Sequence, residues 1–203
     1  MSDGPDGSGG GYELISRDSI YSGAVISLNR DKVRMSDGSV ATREVVEHPG
    51  AVGVVAVDDE GQVVLINQYR HPVGRRLDEL PAGLLDVDGE PPLQTAQREL
   101  AEEAQLKAGD WRVLVDLNPT PGMSNEAIRI YLARKLEPAD DEFTPEHEEL
   151  ELTVRRESLS AAVERCLRGE ITNAAAVAGL LAAASAAAND FESLRPADAP
   201  WYR

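Results

Sequence analysis

The chain has 203 residues, 42% of them hydrophobic, and a formal net charge of −16. That length suits one domain, or one domain with a small appendage, and the apolar share is enough for a packed core. The negative charge argues against a nucleic-acid-binding surface, which needs clustered basic side chains, but leaves room for a small anionic substrate held by a few local arginines.

In chain order, residues 1–11 are rich in Gly, Ser and Asp and predict a disordered tail. Runs at 12–15, 20–28 and 40–46 read as strands of a small N-terminal sheet, with Asp37-Gly38 as a hairpin signal. A sheet that small cannot bury a core alone and must pack on the main domain or on a second subunit. Residues 51–57 are almost continuously apolar, as in a strand buried on both faces, and after a turn at 58–61 the run 63–69 predicts the next strand. A loop over 78–90 and a helix over about 91–106 follow. Residues 111–117 and 127–136 predict two more strands, and 137–149 an acidic loop. Leu150, Leu152 and Val154 alternate with polar residues, as in a half-exposed strand. Ser158 opens a helix that runs to about Arg168 and stops at Gly169. Residues 173–189 predict a second helix, whose small side chains suit close packing on a sheet or another helix. The tail 190–203 is expected to be ordered only where it docks. Strands mixed with helices, neither strictly alternating nor segregated, predict an α/β fold with a sheet between helices.

The single cysteine, Cys166, excludes an intrachain disulfide and fits a reducing cytoplasm. It lies in an amphipathic helical pattern and reads as core. Three histidines, none at zinc spacing, argue against a structural zinc site. No apolar run has the length of a membrane span, and the first residues form no secretory leader, so the chain is expected to be cytoplasmic with no membrane partner.

The segment Arg98-Glu99-Leu100-Ala101-Glu102-Glu103 carries the chemistry. On a helix Glu99 and Glu103 stand one above the other, and Glu102 flanks the same edge. Near a protein surface each close carboxylate pair costs up to about 4 kcal/mol. A divalent cation removes that repulsion, and Mg²⁺ prefers such oxygens and bridges to substrate phosphates. A Glu-rich helix is more often a solvated face. Three features favour the ion site here. Glu90 and a Pro91-Pro92 pair suited to a first helical turn precede the segment, Gly83 sits in a turn that brings backbone close to a ligand, and the whole lies between strand-like runs.

This pattern resembles the box of the Nudix hydrolases, G-x(5)-E-x(7)-R-E-U-x-E-E-x-G-U, with U a bulky aliphatic residue. Gly83, Glu90, Arg98, Glu99, Leu100, Glu102, Glu103 and Leu106 have counterparts in it. Two departures stand out: six residues separate Gly83 from Glu90, and Gln105 replaces the last glycine, which bears on how the helix ends. The resemblance implies an α/β/α sandwich with a mixed sheet, plus the small N-terminal sheet. It also implies metal ligation by Glu99 and Glu103, with Glu102 joining or supporting them, and by the backbone carbonyl of Ala82. Arg98 would orient the carboxylates by ion pairing, with Gly83 and Glu90 as structural members. The cofactor implied is Mg²⁺ or Mn²⁺.

Outside the box the chain is similar to the ADP-ribose pyrophosphatase branch of that family. The matching stretches are Thr42-Arg43-Glu44-Val45-Val46-Glu47-His48, Gln68-Tyr69-Arg70-His71-Pro72, Asp78-Glu79-Leu80-Pro81-Ala82-Gly83, Thr120-Pro121-Gly122-Met123-Ser124-Asn125-Glu126 and Gly169-Glu170-Ile171-Thr172-Asn173. The branch implies a homodimer in which residues 12–47 are exchanged between subunits and 48–203 form the catalytic domain. It implies contact of Arg70 with the pyrophosphate, of Arg43 with substrate nearby and of Met123 with the sugar. Arg43 equally suits a solvated strand end, Arg70 suits one slightly less than substrate contact, Met123 suits loop packing, and Tyr69 suits strand packing better than stacking. A glutamate after the box would position or deprotonate the attacking water. Glu149 is favoured, then Glu148, ahead of Glu146, with His147 beside them in a loop that composition alone reads as solvated. The activity implied is Mg²⁺-dependent cleavage of ADP-ribose to AMP and ribose 5-phosphate. The alternatives are hydrolysis of another nucleotide sugar or of an oxidised nucleoside triphosphate, a non-catalytic nucleotide sensor of the same fold, and an acidic scaffold protein.

Overall fold

The computed structural model describes residues 11–139 and 152–201. The chain divides into two units, residues 1–49 with 120–126, and residues 50–119 with 127–203. In the first, β1 (Glu13–Ser22), β2 (Ser27–Arg34) and β3 (Val40–Glu47) form an antiparallel sheet in the order β1-β2-β3. Asp37-Gly38 turns the β2–β3 hairpin as expected, with Gly38 at φ +84°, a conformation that costs a residue without Cβ nothing. The expected strand over 20–28 is split, with 20–22 ending β1, 27–28 beginning β2 and a hairpin corner at 23–26 between them. Gly23 N–H donates to the Ile26 carbonyl at 2.9 Å, and Val25 and Ile26 lie exposed in the connection. Buried Asp31 is held by a two-pronged bond from Arg17, at 2.8 and 2.7 Å. Residues 120–126 join this unit through β3, where Val46 N–H donates to the Met123 carbonyl at 2.8 Å.

The second unit holds β4 (Ala51–Ala56), β5 (Gln62–Arg70), β6 (Arg75–Glu79), β7 (Ala82–Leu84), α1 (Pro92–Ala104), β8 (Leu106–Leu117), β9 (Ile128–Pro138), β10 (Thr153–Ser158), α2 (Leu159–Leu167), α3 (Ala174–Ala187) and β11 (Arg195–Pro196). A five-stranded sheet runs β11-β8-β9-β4-β7, parallel only at β4–β9, and a three-stranded antiparallel sheet runs β10-β5-β6. Because strand side chains alternate, the apolar run of β4 serves two cores. Val52, Val54 and Ala56 pack with Ala96 and Leu100 of α1, whereas Val55 packs with Leu180 and Ala183 of α3 and Ala162 of α2. Helices therefore cover both faces of a mixed sheet, the α/β/α sandwich that was expected.

The small residues of α3 have a direct use. A Cβ on Gly179 would stand 2.9 Å from Leu80, 3.0 Å from Val55 and 3.3 Å from Ile130, so the helix lies directly on the sheet. Ser158 and Asn173 cap α2 and α3, accepting from the N–H groups of Ala161 and Ala176. The expected loop over 78–90 contains strand instead, the end of β6 and all of β7, and the strand expected at 150–154 is β10, beginning at Thr153. The tail docks. β11 pairs with β8, and Arg129 of β9, only 3% exposed, donates to Asp116 at 2.8 Å and to the carbonyls of Ala199 and Pro200 at 2.7 and 3.0 Å, beneath the Trp201 ring. Among the described residues no helix is long and apolar enough to cross a membrane.

Candidate active site

Helix α1 begins at a proline pair, whose fixed φ and missing N–H suit a first turn, and buries Thr95, Ala96 and Leu100. Glu99, Glu102 and Glu103 flank that stripe, four, seven and eight residues on from Thr95, and Glu99 and Glu103 meet β7. Gly83 of β7 lies directly over Glu99. A Cβ there would fall inside the Glu99 side chain, with 2.5 Å to its Cγ, so only glycine admits this carboxylate. The Ala82 N–H donates to Glu103 Oε2 at 2.8 Å. The turn before the helix closes through Glu90 N–H to the Val87 carbonyl, with Gly89 at φ +78°, and this takes up the longer loop.

Arg98 stands at the centre. Its Nη1 donates to Glu99 Oε1 and Glu102 Oε2, both at 2.8 Å, while Nε and Nη2 face the Glu90 carboxylate at 3.3 and 3.2 Å. One guanidinium thus separates three carboxylates that would otherwise repel. Burial alone would lower the Arg98 pKa, but Glu90, Glu99 and Glu102 together raise it, keeping the cation charged. The Arg98 and Thr95 hydrogen bonds hold the Glu90 carboxyl below the usual carboxylate range.

Among the described residues no three His, Cys, Asp or Glu side chains already converge on one point, because Arg98 gathers Glu99 and Glu102 while Ala82 holds Glu103. The chemistry of the donors is nevertheless uniform. They are carboxylates, beside a strand backbone brought close by a glycine, with no sulfur or imidazole among them. Such a set fits a hard divalent cation.

The structure therefore brings Ala82, Gly83, Glu90, Arg98, Glu99, Glu102 and Glu103 together. Arg70 lies at the end of β5, its guanidinium gripped by Glu79 of β6 at 2.8 to 3.3 Å, and Gln68 also donates to that carboxylate. Glu79, whose side chain is only 3% exposed, had no role in the sequence reading, although it sits in the Asp78-to-Gly83 stretch that carried part of the resemblance. Arg43 and Met123 belong to the N-terminal unit. Both are exposed, and Arg43 bonds the carbonyl of Thr42. Glu146, His147, Glu148 and Glu149 lie outside the described residues.

The NUDIX domain model matches residues 47–177. The chain belongs to the Nudix family. An ADP-ribose pyrophosphatase of Mycobacterium tuberculosis is 50% identical over 192 residues, which cover 94% of this chain and 91% of that protein. An ADP-ribose pyrophosphatase of Bacillus subtilis is 40% identical over 124 residues, 61% of this chain and 66% of that one. The chain also shares its fold with the crystal structure of an ADP compounds hydrolase, at a TM-score of 0.74 and 22% identity over 88% of this chain and 96% of that one.

Proposed function

We propose that this Nudix protein hydrolyses ADP-ribose to AMP and ribose 5-phosphate with a divalent cation, Mg²⁺ or Mn²⁺. The observation that carries the reading is the carboxylate edge of α1 set against Gly83 of β7, every charged position of the box being filled. The extent of identity to the mycobacterial pyrophosphatase supports the choice of substrate. Glu99, Glu103 and the Ala82 carbonyl would hold the cation, with Glu102 joining or supporting them. When bound, it would supply Lewis-acid polarisation of the diphosphate and a lowered pKa for the attacking water.

The protein's own groups do the rest. Arg98 keeps the carboxylates in register while they are close together. Arg70, fixed from below by Glu79, presents a planar guanidinium suited to paired phosphate oxygens. Arg43 would contact substrate near the pyrophosphate and Met123 the sugar. Glu149, or failing that Glu148, would take the proton of the attacking water. We further propose a homodimer made through the N-terminal sheet. Its β1 strand is exposed along its whole length and carries Tyr12, Leu14, Ile15, Ile20 and Tyr21 into solvent, more apolar surface than a monomer ordinarily leaves uncovered.

Incubating the purified protein with ADP-ribose and Mg²⁺ should release AMP without inorganic pyrophosphate. Removing the charge of a metal ligand in Glu99→Gln should cut kcat by about 100-fold or more. No AMP from the unaltered chain, or equal rates from both, refutes the reading.

A further inference from the structure

The box spells out Glu90 and Arg98 but leaves the seven positions between them open, and one of those positions is chemically active here. Thr95 is fully buried, beside Ala96, which packs with Leu100 in the core. Its hydroxyl lies 2.8 Å from Glu90 Oε2 and 3.5 Å from the Pro91 carbonyl. A hydroxyl has one proton to give, and the shorter, charge-assisted bond takes it.

The geometry beyond Glu90 makes that bond consequential. Glu90 occupies the Nε and Nη2 edge of Arg98 and so decides which way the guanidinium plane faces. That leaves Nη1 aimed at Glu99 and Glu102. Without the hydroxyl, Arg98 alone among the described residues pins the Glu90 side chain, and the pair can turn together. From this relay, and resting on the metal-dependent reading above, we propose that Thr95 is a positioning residue for the site. Its hydroxyl sets Glu90, Glu90 sets Arg98, and Arg98 sets Glu99 and Glu102 at the cation site.

The test compares Thr95→Val, which keeps the shape and removes the proton donor, with Thr95→Ala and Thr95→Ser. Binding of Mn²⁺ alone is measured by calorimetry, and kcat and KM for ADP-ribose are measured separately. Losing a group that orients metal ligands should weaken Mn²⁺ binding and lower kcat by about 10-fold in Thr95→Val, with KM within about 3-fold, and Thr95→Ser should recover most of both. Thr95→Ala carries the comparison if the valine variant does not fold. Unaltered Mn²⁺ affinity and kcat in either hydroxyl-free variant overturns the proposal. So does a serine variant as impaired as valine, or loss of the fold in both hydroxyl-free variants, since either would make the role one of packing. If the unaltered chain itself binds no Mn²⁺ and releases no AMP, the functional reading fails and takes this proposal with it. If the unaltered chain is active and Thr95→Val equals it, the role of Thr95 alone is refuted.

Discussion

Gln105 ends α1 with φ +55°, in the left-handed region that favours glycine, and its N–H still closes the last turn onto Ala101 and Leu100. The helix therefore stops where the family's glycine would stop it, at a conformational cost of about 1–2 kcal/mol for a residue with a Cβ. Part of that cost is offset because glycine would loosen the unfolded chain. Gln105→Gly should thus gain about 0.5–1 kcal/mol and raise the melting temperature by about 1–4 °C, with AMP release unchanged. A lower melting temperature would mean that the glutamine side chain makes a compensating contact. The charged members of the box were legible in the sequence because they act within one helix and the turn before it. Glu79 and Asp78 were not. Their partners are Arg70 and Asn67 across the hairpin and Arg165 and Arg155 on later elements, up to 87 positions away, a separation that periodicity does not register. Asp78 and Glu79 accordingly read as loop although they end β6.

At the scale of elements, apolar runs located the central strands and α3, the amphipathic pattern and capping Ser158 located α2, and the proline pair and box residues located α1. The hydrophobic pattern failed within 20–28 only at 23–26, where Ala24, Val25 and Ile26 look like strand but form an exposed hairpin corner. Where a strand is exposed along its whole length, as β1 is, apolar content no longer tracks burial, so register and corners lose their signal. The exposed β1 strand is also where assembly can be checked. Light scattering should give twice the chain's mass for the unaltered protein. Leu14→Lys with Tyr21→Lys should shift it toward a monomer, because charge on an uncovered apolar strand opposes pairing. A monomer in the unaltered chain would refute the dimer.

Across the whole molecule, two arginine-bound carboxylates tie distant segments together. Burial pushes Asp78 and Asp116 upward, but Arg165, Asn67 and Arg155 around the first, and Arg129 and Arg195 around the second, outweigh it and hold both below the usual carboxylate range. A carboxylate whose folded pKa lies below its unfolded value stabilises fully above an unfolded pKa of about 4, and that stability is lost as pH falls through the folded value. Melting temperature should therefore hold from neutral pH down to about 5 and then fall, and Asp116→Asn should flatten the fall. An unchanged acid profile in that variant would show that Asp116 titrates alike in both states. Arg129 adds a constraint in time. The carbonyls of Ala199 and Pro200 that complete its shell are made 70 and 71 positions after it. A nascent chain that has formed β8 and β9 still carries a guanidinium short of those two acceptors. Docking of the tail onto Arg129 must therefore wait until translation has passed residue 200.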